Sequence, residues 1–287
     1  MEIKRPVLRY HGGKFRLAPW IISYFPKHRI YTEVFGGGGS VLMQKRRSYA
    51  EVYNDIWDIV VNVFQILRDP EQARQLENLL RITPYARAEF ENCGDEDINQ
   101  IIDPVEKARL TIFRSFAGFG SASTNAKHAT GFRASSNRSG TTPAHDWANY
   151  PDHIKCFTSR LQGVVIENRT AVEVLLQHDT PETLHYVDPP YPHSTRNMKR
   201  GNAAYAHEMT DAQHRELAQV LHSLQGMVVL SGYACELYDR ELFADWKRVQ
   251  RLAKADGAKD RIEVLWLNKA AATKKLELFD LQEEATT

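Results

Sequence analysis

The sequence predicts an α/β fold, a doubly wound sheet interrupted by a mainly helical insertion. Three observations predict it. An apolar run at 30–35 stops at Gly36-Gly37-Gly38-Gly39 and passes straight into Ser40-Val41-Leu42-Met43, the pattern of strand, tight turn and helix. Residues 59–116 then change to helical spacing, and strand-like runs return at 163–167, 184–188 and 227–231.

Each element has its own signal. A short run at 50–53 ends on Asn54-Asp55, and an acidic residue closing the second strand is a feature of nucleoside-binding α/β units. In the helical stretch Leu76, Leu79 and Leu80, and later Ala108, Leu110, Ile112 and Phe113, recur between polar faces. Residues 118–149 are rich in Gly, Ser, Thr and Asn, too polar to bury a core of their own, which predicts long loops. An amphipathic helix is predicted over 211–224, opened by a capping box of Thr210 and Gln213. Runs at 246–252 and 262–267 flank Lys254-Ala255-Asp256-Gly257, and an Asp-Gly turn between strands predicts an antiparallel hairpin. No internal repeat is visible.

The 287 residues suffice for one large domain or a core domain carrying a smaller one. A hydrophobic fraction of 43% and a charged fraction of 25% exclude disordered, collagen-like and disulfide-scaffold classes. With a net charge of only +1, a nucleic-acid partner has to be met by a local basic surface. Cys93, Cys156 and Cys235 form no Cys-x-x-Cys pair and no zinc-like spacing, so a reduced protein without a metal is expected. The start, Met1-Glu2-Ile3-Lys4-Arg5-Pro6, is charged where a secretory signal is apolar, and no run approaches the roughly 20 apolar residues that span a bilayer. A soluble, cytoplasmic protein with no membrane association is the expectation.

The glycine turn lets backbone approach a ligand, with the positive end of the following helix beside it. It fits neither G-x-G-x-x-G nor the phosphate-loop pattern, which disfavours pyrophosphate; a purely structural turn is the alternative. Asp55 is placed to accept hydrogen bonds from both ribose hydroxyls of an adenosyl ligand. Alone it reads equally well as a helix cap, and its pairing with the glycine turn favours the ribose role.

The strongest local signal is Tyr186-Val187-Asp188-Pro189-Pro190-Tyr191. Prolines fix φ and donate no amide hydrogen, so nearby carbonyls are presented rigidly as acceptors. Asp188 and the Pro189 carbonyl can then accept the hydrogens of an exocyclic amine and turn its lone pair toward a methyl donor, while Tyr191 stacks on the base. An ordinary Asp-Pro-Pro turn followed by a packed tyrosine is the alternative.

In this order the motifs resemble the Dam-like adenine-specific DNA methyltransferases, and the resemblance covers most of the chain. Tyr10-His11-Gly12-Gly13-Lys14 is similar to the family's N-terminal cofactor motif, Glu33-Val34-Phe35-Gly36-Gly37-Gly38-Gly39-Ser40 contains its Phe-x-Gly-x-Gly signature, Asn54-Asp55 its ribose site, and Asp188 to Tyr191 its catalytic tetrapeptide. The resemblance implies a Rossmann-like mixed sheet of the S-adenosylmethionine-dependent methyltransferase type. Residues 1–56 and 161–287 would form the catalytic domain and 57–160 an inserted, mainly helical target-recognition domain. It implies S-adenosyl-L-methionine as cofactor, with Tyr10 and Lys14 at its methionine end and Glu33, Phe35, Gly37, Gly39, Ser40, Asp55 and Asp188 completing the site. Asp188, Pro189, Pro190 and Tyr191 would be catalytic, with no metal and no enzyme nucleophile. Family members often carry tryptophan where this chain has Tyr10, and an acidic residue where it has Thr170.

Between 114 and 160 the cations Arg114, Lys127, Arg133, Arg138, Lys155 and Arg160 face only Asp146 and Asp152. Arg reads guanine and Asn reads adenine in the major groove, which makes Arg133, Asn137 and Arg138 candidate DNA contacts. An adenine within a duplex has to be flipped out to react, and Arg196, Lys199 and Arg200, following Tyr191, are candidates for holding the extruded nucleotide. For each of these a solvated loop residue is the alternative. The expected activity is methylation of N6 of a flipped-out adenine in double-stranded DNA, site-specific or relaxed, by a monomer with a cognate restriction endonuclease as an optional partner. Transfer to cytosine N4 or to an amine of RNA is the enzymatic rival, but such relatives more often carry Ser-Pro-Pro-Tyr or Asn-Pro-Pro-Tyr. A catalytically silent DNA-binding protein of the same fold is the second rival, and the intact Asp188, Tyr191, Asp55 and Lys14 count against it.

Overall fold

Seven strands form one sheet in the order β3-β2-β1-β4-β5-β7-β6. They are β1 (Ile30–Glu33), β2 (Ala50–Asn54), β3 (Val164–Glu167), β4 (Thr183–Val187), β5 (Met227–Tyr233), β6 (Lys247–Lys254) and β7 (Asp260–Leu267). The first five are parallel, whereas β7 runs antiparallel to both β5 and β6, so the sheet is mixed. The computed structural model describes residues 3–93, 95–119, 131–135, 140–195, 207–254 and 260–273. The helices that accompany the strands include α1 (Ala18–Ser23), α2 (Ser40–Gln44), α3 (Asp58–Arg68), α4 (Pro70–Ile82), α5 (Arg87–Glu91), α6 (Asp95–Gln100), α7 (Pro104–Ala117), α8 (Pro143–Ala148), α9 (Ile154–Leu161), α10 (Ala171–His178) and α11 (Asp211–Ser223).

Apolar runs become strands buried on both faces, as expected of a sheet covered by helices on each side. Val52, Val187, Val228, Leu230, Val264 and Trp266 pack with Val174 and Leu175 of α10 and Leu217, Ala218 and Leu221 of α11. The opposite face, with Tyr31, Tyr186, Val229 and Leu265, shares a single apolar cluster with Ile21 of α1, Phe64 of α3, Leu76 of α4, Phe113 of α7 and Phe157 of α9. The core is therefore continuous across positions 57 and 160. Phe64 stacks on Tyr53 of β2 with ring centroids 4.1 Å apart. At the other end Arg160 of α9 grips both oxygens of Glu51 at 2.6 and 3.0 Å and donates to the Leu42 carbonyl at 2.6 Å. Lys45 completes that buried cluster, 2.6 Å from Glu51.

Three helices between β2 and β3 begin at side-chain caps. Asp69, Asp103 and Thr142 each accept backbone N–H bonds ahead of a proline in the first turn of α4, α7 and α8. α8 departs from the long loops expected over 118–149. Its reason is tertiary, because Trp147 is 3% exposed and its indole donates to the Thr83 carbonyl at 2.9 Å. α1 and α10 likewise add helices to those the spacing predicted. The capping box of Thr210 and Gln213 is present in full, and the expected hairpin is β6–β7, with its turn 255–259 outside the described residues. Among the described residues no helix is long and apolar enough to cross a membrane, no group of three metal-ligating side chains occurs, and Cys93, Cys156 and Cys235 are free.

Candidate active site

The strand order turns at β1, which lies between β2 and β4. Connections leave β1 and β4 in opposite directions there, and the carboxyl ends of the strands open a crevice, the usual ligand position of such sheets. A cleft of about 710 Å³ occupies it. Tyr10, Lys14, Glu33, Phe35, Gly37, Ser40, Asp55 and Asp188, all expected at the cofactor site, line it together with Pro190. Thr170, where family members often carry an acidic residue, lines it too, as do Trp57, Ala171, Val172, Met209 and Leu217, which carry no site signal in the sequence.

The glycine turn is pinched between aromatic rings. Gly37 and Gly39 have φ of 46° and 60°, a region side chains rarely adopt. A Cβ at Gly36 would lie 2.2 Å from the Tyr53 ring, at Gly37 2.7 Å from the Tyr10 ring, and at Gly39 2.8 Å from the Phe64 ring. The Tyr53 hydroxyl donates to the Gly37 carbonyl at 2.7 Å. Gly39 does not line the cleft; it is the N-cap of α2, whose five residues supply little dipole. Close backbone approach, rather than a helix terminus, is what this turn offers.

Asp55 has a structural duty as well as a position in the cleft. Its two oxygens accept from the Gly37 amide at 2.8 Å and the Trp57 amide at 2.9 Å, so it ties the second strand to the glycine turn. Burial raises its pKa, and these amides oppose the rise. Glu33 accepts from the Tyr31 hydroxyl and the Leu42 amide, both at 2.7 Å, and burial pushes its pKa up to about 7. Thr170 caps α10 through a reciprocal box with Glu173.

Asp188 stands at the end of β4 with both oxygens engaged. Lys14 Nζ lies 2.9 Å from Oδ2, and Ser231 Oγ donates to Oδ1 at 2.5 Å. Ser231 also meets the Tyr186 hydroxyl at 3.1 Å. The Lys14 ammonium donates to the Gly12 carbonyl at 2.8 Å and sits 4.8 Å from the centre of the Tyr191 ring. Tyr191 is 4% exposed; its hydroxyl donates to Glu263 at 3.1 Å and its ring meets Tyr233 edge-on at 4.6 Å. The ring is thus packed in this structure, and stacking on a base requires one of its faces to be uncovered. Pro189 is buried beside it.

Ser231 and Glu263 were not foreseen. Ser231 ends the apolar run of β5, and Glu263 directly precedes the apolar run of β7; both are buried polar residues of the kind that marks a site.

Among the candidate DNA contacts, Arg133 is half-buried and donates to the Phe116 carbonyl at 2.8 Å, while its own carbonyl accepts from the Tyr85 hydroxyl at 2.8 Å. Asn137, Arg138, Arg196, Lys199 and Arg200 lie outside the described residues. Arg114, bonded to the Cys93 carbonyl, and Arg160 are buried, so part of the positive charge counted over 114–160 is not on the surface.

Fold and site together are those of an α/β methyltransferase. Residues 10–255 match the family of D12 class N6 adenine-specific DNA methyltransferases, and the chain belongs to it. It is accordingly an enzyme that methylates adenine N6 in DNA. A comparison with curated proteins finds no match. Among solved structures, precorrin 8w decarboxylase from Methanobacterium thermoautotrophicum is similar at 11% identity over 93% of this chain and 96% of that one, with a TM-score of 0.34, a likeness too distant to bear on function.

Proposed function

We propose that the cleft holds S-adenosyl-L-methionine and that Asp188 presents the adenine amine to it. The residues fit such a ligand. Phe35, Trp57, Val172 and Leu217 supply apolar walls, Asp55 and the glycine backbone supply polar partners for the ribose, and the volume lies within the range of cofactor sites. When bound, the cofactor supplies a methyl group on a positively charged sulfur.

The chain's own task is orientation. Asp188 accepts one hydrogen of the adenine N6 amine through a lone pair left free by Lys14 and Ser231, and the Pro189 carbonyl accepts the other. The nitrogen lone pair then points into the cleft. After transfer the nitrogen carries an extra proton, and the Asp188 carboxylate is the nearest base to take it. Positioning and fixed charge, rather than a covalent intermediate, account for the rate. Arg133, Asn137 and Arg138 are proposed contacts to double-stranded DNA, and Arg196, Lys199 and Arg200 to the flipped nucleotide. A monomer suffices for this chemistry.

The observation that carries the reading is Asp188, fixed from two sides at the mouth of the cleft. The test is incubation with plasmid and methyl-labelled cofactor, followed by nucleoside analysis. N6-methyladenine is the expected product; N4-methylcytosine alone, or no labelled DNA, would overturn it.

A further inference from the structure

The second half of β7 is apolar. Val264, Leu265, Trp266 and Leu267 are 0–1% exposed, and Glu263, immediately before them, is 6% exposed. Burying a carboxyl costs several kcal/mol unless a partner offsets it, and an aliphatic residue would suit strand pairing at this position at least as well. Arg251 stands opposite Glu263 in the β6–β7 register but is exposed, so strand pairing alone gives no reason to bury the carboxyl.

What Glu263 touches gives the reason. It lies opposite Tyr233 in the β5–β7 register, and the two residues form a seat for Tyr191. Glu263 accepts the Tyr191 hydroxyl at 3.1 Å, and the Tyr233 ring meets Tyr191 edge-on. Pro189 and Pro190 fix the backbone leading to Tyr191, but they leave its side-chain torsions free. A hydrogen bond at the far end of the ring removes that freedom. Lys14 completes the seat: its ammonium pairs with Asp188, lies near the Tyr191 ring, and its charge favours the Glu263 carboxylate, which burial and Asp188 disfavour. One ammonium thus serves two carboxyl groups, one facing the substrate amine and one facing the tyrosine.

We infer that Glu263 is a positioning residue which, through the Tyr191 hydroxyl, sets the ring of the catalytic motif at the angle from which it meets the target base. The inference rests on the reading that Tyr191 contacts the base. Neither Glu263 nor Tyr191 lines the cofactor cleft, so the effect belongs to turnover and not to cofactor affinity.

The test measures plasmid methylation by wild type, Glu263→Met, Glu263→Gln, Tyr191→Phe and the double variant Glu263→Met/Tyr191→Phe. Methionine matches the volume of glutamate without the acceptor, and glutamine keeps an acceptor without the charge. Glu263→Met is expected to lower kcat about tenfold, the equivalent of one hydrogen bond to a charged group, with KM for the cofactor unchanged within about twofold. Glu263→Gln restores most of the rate. In the Tyr191→Phe background, where no hydroxyl remains to be held, Glu263→Met has no further effect. Equal losses in both backgrounds, or unchanged kcat in Glu263→Met, would overturn the inference. If Glu263→Met does not fold, Tyr191→Phe breaks the same bond from the other end, and unchanged kcat there overturns it as well. Asp188→Ala in the same assay probes the site reading separately, since Asp188 is not part of the Glu263–Tyr191 bond; activity surviving in that variant would refute the site itself.

Discussion

Lys14 and Asp188 form an ion pair of 2.9 Å with the lysine side chain 5% and the aspartate side chain 16% exposed. The first motif of the chain and the last are joined by it, so the proposed cofactor end and substrate end share one electrostatic centre. A pair this buried is fixed in place, because separating it leaves a charge in a medium that solvates it poorly. Asp188 is consequently preorganised before any substrate arrives.

Asp188→Ala should abolish methyl transfer while leaving cofactor binding largely intact, at a stability cost comparable to breaking the Lys14 pair from the other side. The side chain orients the amine, whereas the glycine turn and Asp55 are untouched by its removal. Labelled-methyl incorporation and calorimetric titration with the cofactor measure the two halves independently, and wild-type turnover in the variant would sink the proposed mechanism.

Lys14→Met strands the Asp188 carboxylate and should cost about 3 kcal/mol of stability, the scale of breaking one side of a buried pair. Lys14→Met/Asp188→Asn removes the stranded charge and should recover part of that loss. Denaturant unfolding of both single variants and the double variant reads the coupling directly. Strict additivity would mean the pair contributes nothing.

Stability should depend on pH through Glu33. Its native pKa of about 7 stands above the ordinary value of 4.5 because of burial. Between those values the native state keeps a proton that the unfolded chain releases, so the stabilising contribution is complete below about 4.5 and is lost as pH rises through about 7. The loss is on the order of 3 kcal/mol. Glu33→Gln is uncharged throughout and still accepts from Tyr31 and Leu42. Its melting temperature relative to wild type should therefore climb between about pH 5 and pH 8, and parallel curves would rule the effect out.

Much of this arrangement was legible in the sequence. The strand cores were, because runs such as Met227-Val228-Val229-Leu230 bury on both faces and need no periodicity to be seen. Most residues of the cleft proposed for the cofactor were, because the glycine turn, Asp55 and the Pro-Pro corner are local devices whose chemistry is written in their own residue types. Contacts made over distance were not. Glu263 reaches Tyr191 across 72 positions, and nothing in either neighbourhood names the other. α8 is opened by a local cap, Thr142 before Pro143, but a six-residue helix in a polar segment is held chiefly by Trp147 against Thr83. α10 had a local sign, the Thr170-x-x-Glu173 box, that went unread. Arg160 reads as a surface cation because its partner, Glu51, lies 109 positions away on β2.

The glycine turn supplies the last prediction. Gly36→Ala adds a methyl 2.2 Å from the Tyr53 ring, closer than any real contact, and Tyr53 cannot retreat, because its ring stacks on Phe64 and its hydroxyl holds the Gly37 carbonyl. The turn must shift instead, taking with it the Gly37 amide that Asp55 accepts. Cofactor affinity should fall by more than about tenfold, a cost of roughly 1.4 kcal/mol that a modest displacement of one hydrogen-bonded group already reaches. Gly131→Ala meets nothing within 4 Å and should bind the cofactor as wild type does. Calorimetric titration of both variants decides the matter: equal affinities would mean that the close approach of backbone at Gly36 has no part in holding the cofactor.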